Sequence, residues 1–161
     1  MPIRYTKTML KVVTTELDDR VTRSLAQFPE LADRTVTIGR TMSAEGTAEA
    51  EHWRIRLRVR RRRPVSYFTI GHELTHLLQR GGLAIVPSGE AQCDVWTLVR
   101  SELFLDEPPS YLCWQLWRDV EWAAHAHHIR RLCQEAVERR QTSRRYLVWL
   151  QDRIERHVRA T

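Results

Sequence analysis

The chain is expected to fold as α+β, with a small antiparallel β-sheet packed on a helical bundle. Three features lead there. Apolar residues recur every three to four positions over most of the chain, as in amphipathic helices. Two segments between residues 34 and 62 alternate apolar and polar instead. Gly and Pro punctuate the boundaries. With 161 residues and 42% hydrophobic content, the chain can bury one proper core. We therefore read residues 1–161 as a single domain. An N-terminal helix and β-hairpin occupy 1–63, two helices carrying the candidate site occupy 64–104, and a helical part occupies 110–161.

The elements follow in order. Thr8 to Phe28 reads as a helix with Leu10, Val13, Leu17, Val21, Leu25 and Phe28 on one face, ended by Pro29. Arg34 to Thr41 reads as a strand, and Ser43 to Ala50 as a small, polar loop. His52 to Arg62 is the clearest strand. Trp53, Ile55, Leu57 and Val59 take one face, and Arg54, Arg56, Arg58 and Arg60 the other. The two strands are expected to pair antiparallel. Pro64 and Ser66 start a helix of about four turns, closed by Gly81-Gly82. Ser88 reads as the cap of a second helix, Glu90 to Phe104, broken by Asp106-Glu107-Pro108-Pro109. Trp114 to Arg140 reads as a long helix. A last one, capped by Ser143, runs to about Val158. Its stripe of Leu147, Leu150, Ile154 and Val158 needs a partner: the preceding helix, another subunit, or the cleft.

Charge and cysteine usage bound the partners. The net charge is +6, and Lys7 and Lys11 are the only lysines. A basic balance permits binding to nucleic acid, anionic membrane or acidic protein. The Arg54, Arg56, Arg58, Arg60 stripe has two readings: the solvated face of a half-buried sheet, or a surface for phosphates. Arg54 to Pro64 contains no aromatic residue, which favours the first. The start of the chain has no apolar leader, and no apolar run is long enough to span a bilayer. Three cysteines without a Cys-x-x-Cys pair fit reduced thiols. A cytoplasmic protein with no membrane partner is the expectation.

The chemistry concentrates in His72-Glu73-Leu74-Thr75-His76, which reads H-E-x-x-H. Residues four apart on a helix share a face, so both imidazoles can point at one metal ion. Glu73, one residue on, can reach a water beside that ion and act as general base. Zinc suits imidazole and carboxylate ligands in tetrahedral geometry. A catalytic zinc takes three protein ligands. Beyond the Gly81-Gly82 turn, Glu90 and Asp94 again lie four apart, and each is a candidate third ligand. A closed structural site would need a further ligand, for which Cys93 is the candidate. His125, His127 and His128 are a separate cluster, read as solvated or packing residues.

H-E-x-x-H followed by E-x-x-x-D resembles the gluzincin zinc metallopeptidases, and the short interval from His76 to Glu90 is similar to that of the single-domain minigluzincins. The resemblance covers about Val65 to Leu103. It implies a zinc-dependent peptidase acting on peptide or protein substrates. Glu90 would be the third ligand, and Asp94 would hydrogen-bond a ligand histidine. It also implies a strand above the zinc helix whose edge takes extended substrate. A Tyr, His or Arg would face the oxyanion. Tyr111 is the nearest loop tyrosine, with Arg100, His125, His127 and His128 as rivals.

Overall fold

Val36 and Ile38 in one strand, and Ile55 and Leu57 in another, are fully buried and form the centre of a four-stranded sheet. The computed structural model describes residues 2–160. The strands are β1 (Ile3–Tyr5), β2 (Val36–Arg40), β3 (Gly46–Glu49) and β4 (Arg54–Leu57). The helices are α1 (Lys7–Leu10), α2 (Thr15–Leu25), α3 (Tyr67–His76), α4 (Glu90–Arg100), α5 (Trp122–Arg139) and α6 (Tyr146–Ala160). The α+β class is as expected. No helix of the described residues is long and apolar enough to cross a membrane.

The sheet departs from the expected antiparallel hairpin. Its order is β1-β2-β4-β3, and it is mixed. β2 pairs parallel with both β1 and β4, with Ile38 opposite Ile55. Only β3 and β4 run antiparallel, with Ala48 opposite Ile55. The segment read as a loop, Ser43 to Ala50, contains β3. The chain leaves β2, runs out to the edge as β3, and turns back through a 3-10 turn at Ala50–His52. Trp53 takes a left-handed conformation (φ 49°) at that turn, so it is not a strand residue. β4 then slots between β2 and β3. The apolar strand takes the centre because Ile55 and Leu57 must be buried. The small, polar strand takes the edge, where it needs no apolar face.

Other boundaries shift for local reasons. The helix expected over Thr8–Phe28 is broken after Leu10. Thr14 caps a new start by accepting the Leu17 N–H (3.2 Å). Pro29 opens a 3-10 turn, its fixed φ suiting a first helical position. Gly89, not Ser88, is the N-cap of α4. α4 ends at Ser101, whose extended backbone (φ −157°, ψ 148°) leads into a 3-10 turn, Glu102–Leu105. The long helix begins at Trp122, eight residues later than expected from Trp114. The stripe on α6 finds its partner within the chain: Tyr146, Leu150 and Ile154 join Ile129, Leu132 and Cys133 of α5 in one apolar cluster.

α3 lies between two such clusters. Ile70, Leu74 and Leu77 pack with the sheet and α2, while Phe68 packs with the α4–α5–α6 side. Burial on both sides leaves little of the helix wet. Its N-terminal amides are satisfied twice over. Ser66 accepts from Thr69 N–H (3.0 Å), and the Asp106 carboxylate accepts from Tyr67 N–H (2.7 Å) and Phe68 N–H (2.9 Å). α3 has 10 residues, shorter than the expected four turns. The chain folds back on its last turn, where Leu83 N–H donates to Leu77 O (3.1 Å). Gly82 permits this, because a Cβ there would lie 1.8 Å from the Leu77 carbonyl oxygen.

Asp106→Ala removes the acceptor of two helix-start amides. It should cost about 1–3 kcal/mol of stability in urea unfolding. Asp106→Asn, which keeps one acceptor, should cost less.

Candidate metal centre

The first turn of α4 meets the C-terminal half of α3 at three side-chain donor atoms. His72 Nε2 and His76 Nε2 are 3.1 Å apart. Glu90 Oε2 lies 3.2 Å from each. The triangle is near-equilateral. Ligands of a tetrahedral ion at about 2.0–2.1 Å stand about 3.3–3.4 Å from one another, so these three atoms match one face of such a polyhedron. Two imidazoles and a carboxylate are also a donor set that suits zinc.

The four-residue repeat on α4 supplies the next layer. Asp94 is fully buried, and its Oδ1 accepts the His72 Nδ1–H at 2.8 Å. Its Oδ2 accepts the backbone N–H groups of Tyr111 (2.7 Å) and Leu112 (2.8 Å). Asp94 therefore stands behind His72, on the side away from the triangle. The bond to Nδ1 turns His72 Nε2 toward Glu90. Gln79 does the same for His76, with Oε1 at 2.7 Å from Nδ1. Sequence reasoning missed Gln79. Nothing in the sequence around it, Leu77-Leu78-Gln79-Arg80, singles it out.

Electrostatics follow from this packing. Burial works against a charged His72, but hydrogen bonds with Asp94, Cys93 and Glu90 outweigh it and raise its pKa strongly. Hydrogen bonding to His72 lowers the Glu90 pKa, against a smaller opposing effect of burial.

Glu73 is 6% exposed and packs against β3 at Gly46. Burial, helped by the Glu90 charge and opposed by that of His72, raises its pKa to about 7. Its Oε2 is buried without a hydrogen-bond partner among the described residues. A buried carboxylate oxygen left without a donor is costly. β3 approaches it closely: a Cβ on Gly46 would lie 2.5 Å from Glu73 Oε1.

Cys93 also adjoins the histidines. Donor atoms of His72, His76 and Cys93 lie within 4.8 Å of one another, so this group could hold a metal ion. The Cys93 thiol, however, donates to the His72 backbone carbonyl (3.1 Å). Burial pushes its pKa up to about 11. All three cysteines are free.

Tyr111 stacks on the His72 ring, with centroids 5.7 Å apart and planes at 22°, and is half exposed. It lines a cleft of about 920 Å³ together with His72, Glu73, His76, Glu90 and the edge strand β3. Its rivals lie elsewhere. Arg100 is paired with Glu30 (2.8 Å) under α2. His125 contacts His157 of α6 (3.1 Å), and His128 stacks on that same ring. His127 is exposed on α5.

Four arginines of the stripe share two glutamates, one in β3 and one just before it. Arg54 and Arg56 pair with Glu49, and Arg58 and Arg60 with Glu45. Compared with known proteins, the chain matches no family model, no curated sequence and no solved structure.

Gly46→Ala must displace the Glu73 side chain, at a cost of about 1–3 kcal/mol in denaturant unfolding. In a Glu73→Ala background the new methyl has room. Most of that cost should then vanish, a non-additivity that a double-mutant cycle reads directly.

Proposed function

We propose that the protein is a zinc-dependent peptidase, with His72, His76 and Glu90 as the ligands and Glu73 as the general base. The observation that carries the reading is the triangle of two imidazole nitrogens and one carboxylate oxygen at 3.1–3.2 Å beside a buried, unpaired carboxylate oxygen. Bound there, zinc would supply Lewis acidity toward a peptide carbonyl and lower the pKa of water. Similarity of H-E-x-x-H and E-x-x-x-D to the gluzincins supports the same assignment. Glu90 is preferred to Cys93 because it is an ionised oxygen equidistant from both histidines, whereas Cys93 is a buried thiol engaged by a carbonyl.

The residues then divide the work. Glu73, with a pKa near 7, is poised to take a proton from the attacking water and return it to the leaving amine. Asp94 holds His72 in the ligating tautomer. Tyr111, over His72 at the cleft wall, is the group we assign to the carbonyl oxygen as it gains charge. β3 is the edge of the sheet, and Gly46, Thr47 and Ala48 offer little side-chain bulk at the cleft. An extended peptide would add there as a further strand. Arg54 and Arg56 of β4, and Arg58 and Arg60 just beyond its end at Leu57, are read as a solvated outer face, not as a nucleic-acid surface. The free thiols fit a reducing compartment such as the cytoplasm.

The test is metal content beside activity. Wild type should carry one zinc per chain and cleave unfolded casein. Glu73→Gln should keep the zinc and lose about 10²–10⁴-fold in rate. A protein that takes up no zinc, or a Glu73→Gln variant as active as wild type, contradicts the proposal. In a chelator competition His76→Ala and Glu90→Ala should bind zinc measurably more weakly than wild type, while Cys93→Ala should match it. Loss of zinc in Cys93→Ala would replace Glu90 with a thiolate ligand.

A further inference from the structure

Gln79 is buried (5% exposed) beside His76, and its amide uses both of its ends. The nitrogen reaches two backbone carbonyls, Pro87 O at 2.6 Å and Gly89 O at 3.1 Å. Carbonyls only accept, so the NH₂ must face them and Oε1 must face His76. Nδ1 of His76, 2.7 Å from Oε1, must then carry a hydrogen. That leaves the lone pair on Nε2, which points at Glu90 and His72.

The carbonyls that Gln79 holds belong to the segment leading into Glu90. That segment is weakly determined by its own sequence. Gly89 sits at φ +120° and offers α4 no side-chain cap. A Gly at such a position turns the chain without steric strain, but gives it no preference for the turn either. Two side-chain amides hold the carbonyls of residues 87–89: Gln79 bonds Pro87 and Gly89, and Gln92 of α4 itself bonds Ser88 (2.9 Å).

We propose that Gln79 is a positioning residue that couples His76 to Glu90, keeping the three-ligand site assembled before an ion arrives. One amide fixes the tautomer of one ligand and the backbone approach of another. The inference rests on the metal reading above and extends it to a residue outside the H-E-x-x-H and E-x-x-x-D motifs. Without the Gln79 amide, more of the ordering of Glu90 falls to the ion itself, and the affinity of the site drops.

The test uses the full chain, with zinc affinity measured by competition against a chromophoric chelator. Gln79→Met keeps the volume and removes every bond. Gln79→Glu keeps the acceptor for His76 but cannot donate to both carbonyls. Gln79→Met should bind zinc about 10–100-fold more weakly than wild type. Gln79→Glu should also bind more weakly, because the carbonyl bonds are lost, and it decides the matter if Gln79→Met does not fold. In a Glu90→Ala background the effect of Gln79→Met should shrink, since no third ligand remains to be positioned. Wild-type affinity in both Gln79 variants would overturn the proposal. So would a Gln79→Met effect of the same size with and without Glu90, which would mean that Gln79 acts on His76 alone. Failure of wild type itself to bind zinc would overturn the metal reading, and this inference with it.

Discussion

A carboxylate with no access to water must find donors inside the protein, and Asp94 finds three. His72 Nδ1 occupies one oxygen, and the amides of Tyr111 and Leu112 occupy the other. Leaving such a group unpaired costs several kcal/mol, so these bonds are obligatory and not ornamental. They tie together parts of the chain that are far apart in sequence: α3, α4 and the segment entering the C-terminal helices. The same bonds turn His72 Nε2 toward His76 and Glu90 and bring the Tyr111 ring over the His72 imidazole. The site is thus a consequence of how one buried charge is satisfied.

The surrounding architecture holds this arrangement rigid on three sides. α3 is gripped between the sheet-side cluster and the cluster of α4, α5 and α6. Its start is clamped by Asp106 and Ser66, and its end by the fold-back over Gly82. The remaining side is open. It is bounded by β3, a strand with small residues and a free edge, and this is the side to which Glu73 turns. Helix and edge strand meet at Glu73 and Gly46 and both line the cleft.

The readability of the sequence tracked the strength of the local signal. The spacing of His72 and His76 is fixed by helical geometry, and so is that of Glu90 and Asp94. Those four residues were legible, and the structure brings them together. The two central strands were legible because Ile38, Ile55 and Leu57 alternate with polar neighbours. β3 was not, because an edge strand carries no apolar face. The antiparallel pairing assumed for β2 and β4 failed for that same reason, since the strand that separates them in sequence was invisible. The break between α1 and α2 hid inside an unbroken apolar rhythm, where Thr14 capping overrides the pattern. Gln79 was illegible because its role depends on two carbonyls eight and ten residues away, and their approach is set by the turn at Gly81–Gly89 rather than by any periodicity.

If two imidazoles and a carboxylate hold a metal at this site, X-ray absorption at the zinc edge of the loaded protein should show nitrogen and oxygen scatterers alone at about 2.0–2.1 Å, with the outer-shell signature of two imidazole rings. A sulfur scatterer at about 2.3 Å would put Cys93 in the coordination sphere and contradict that ligand set.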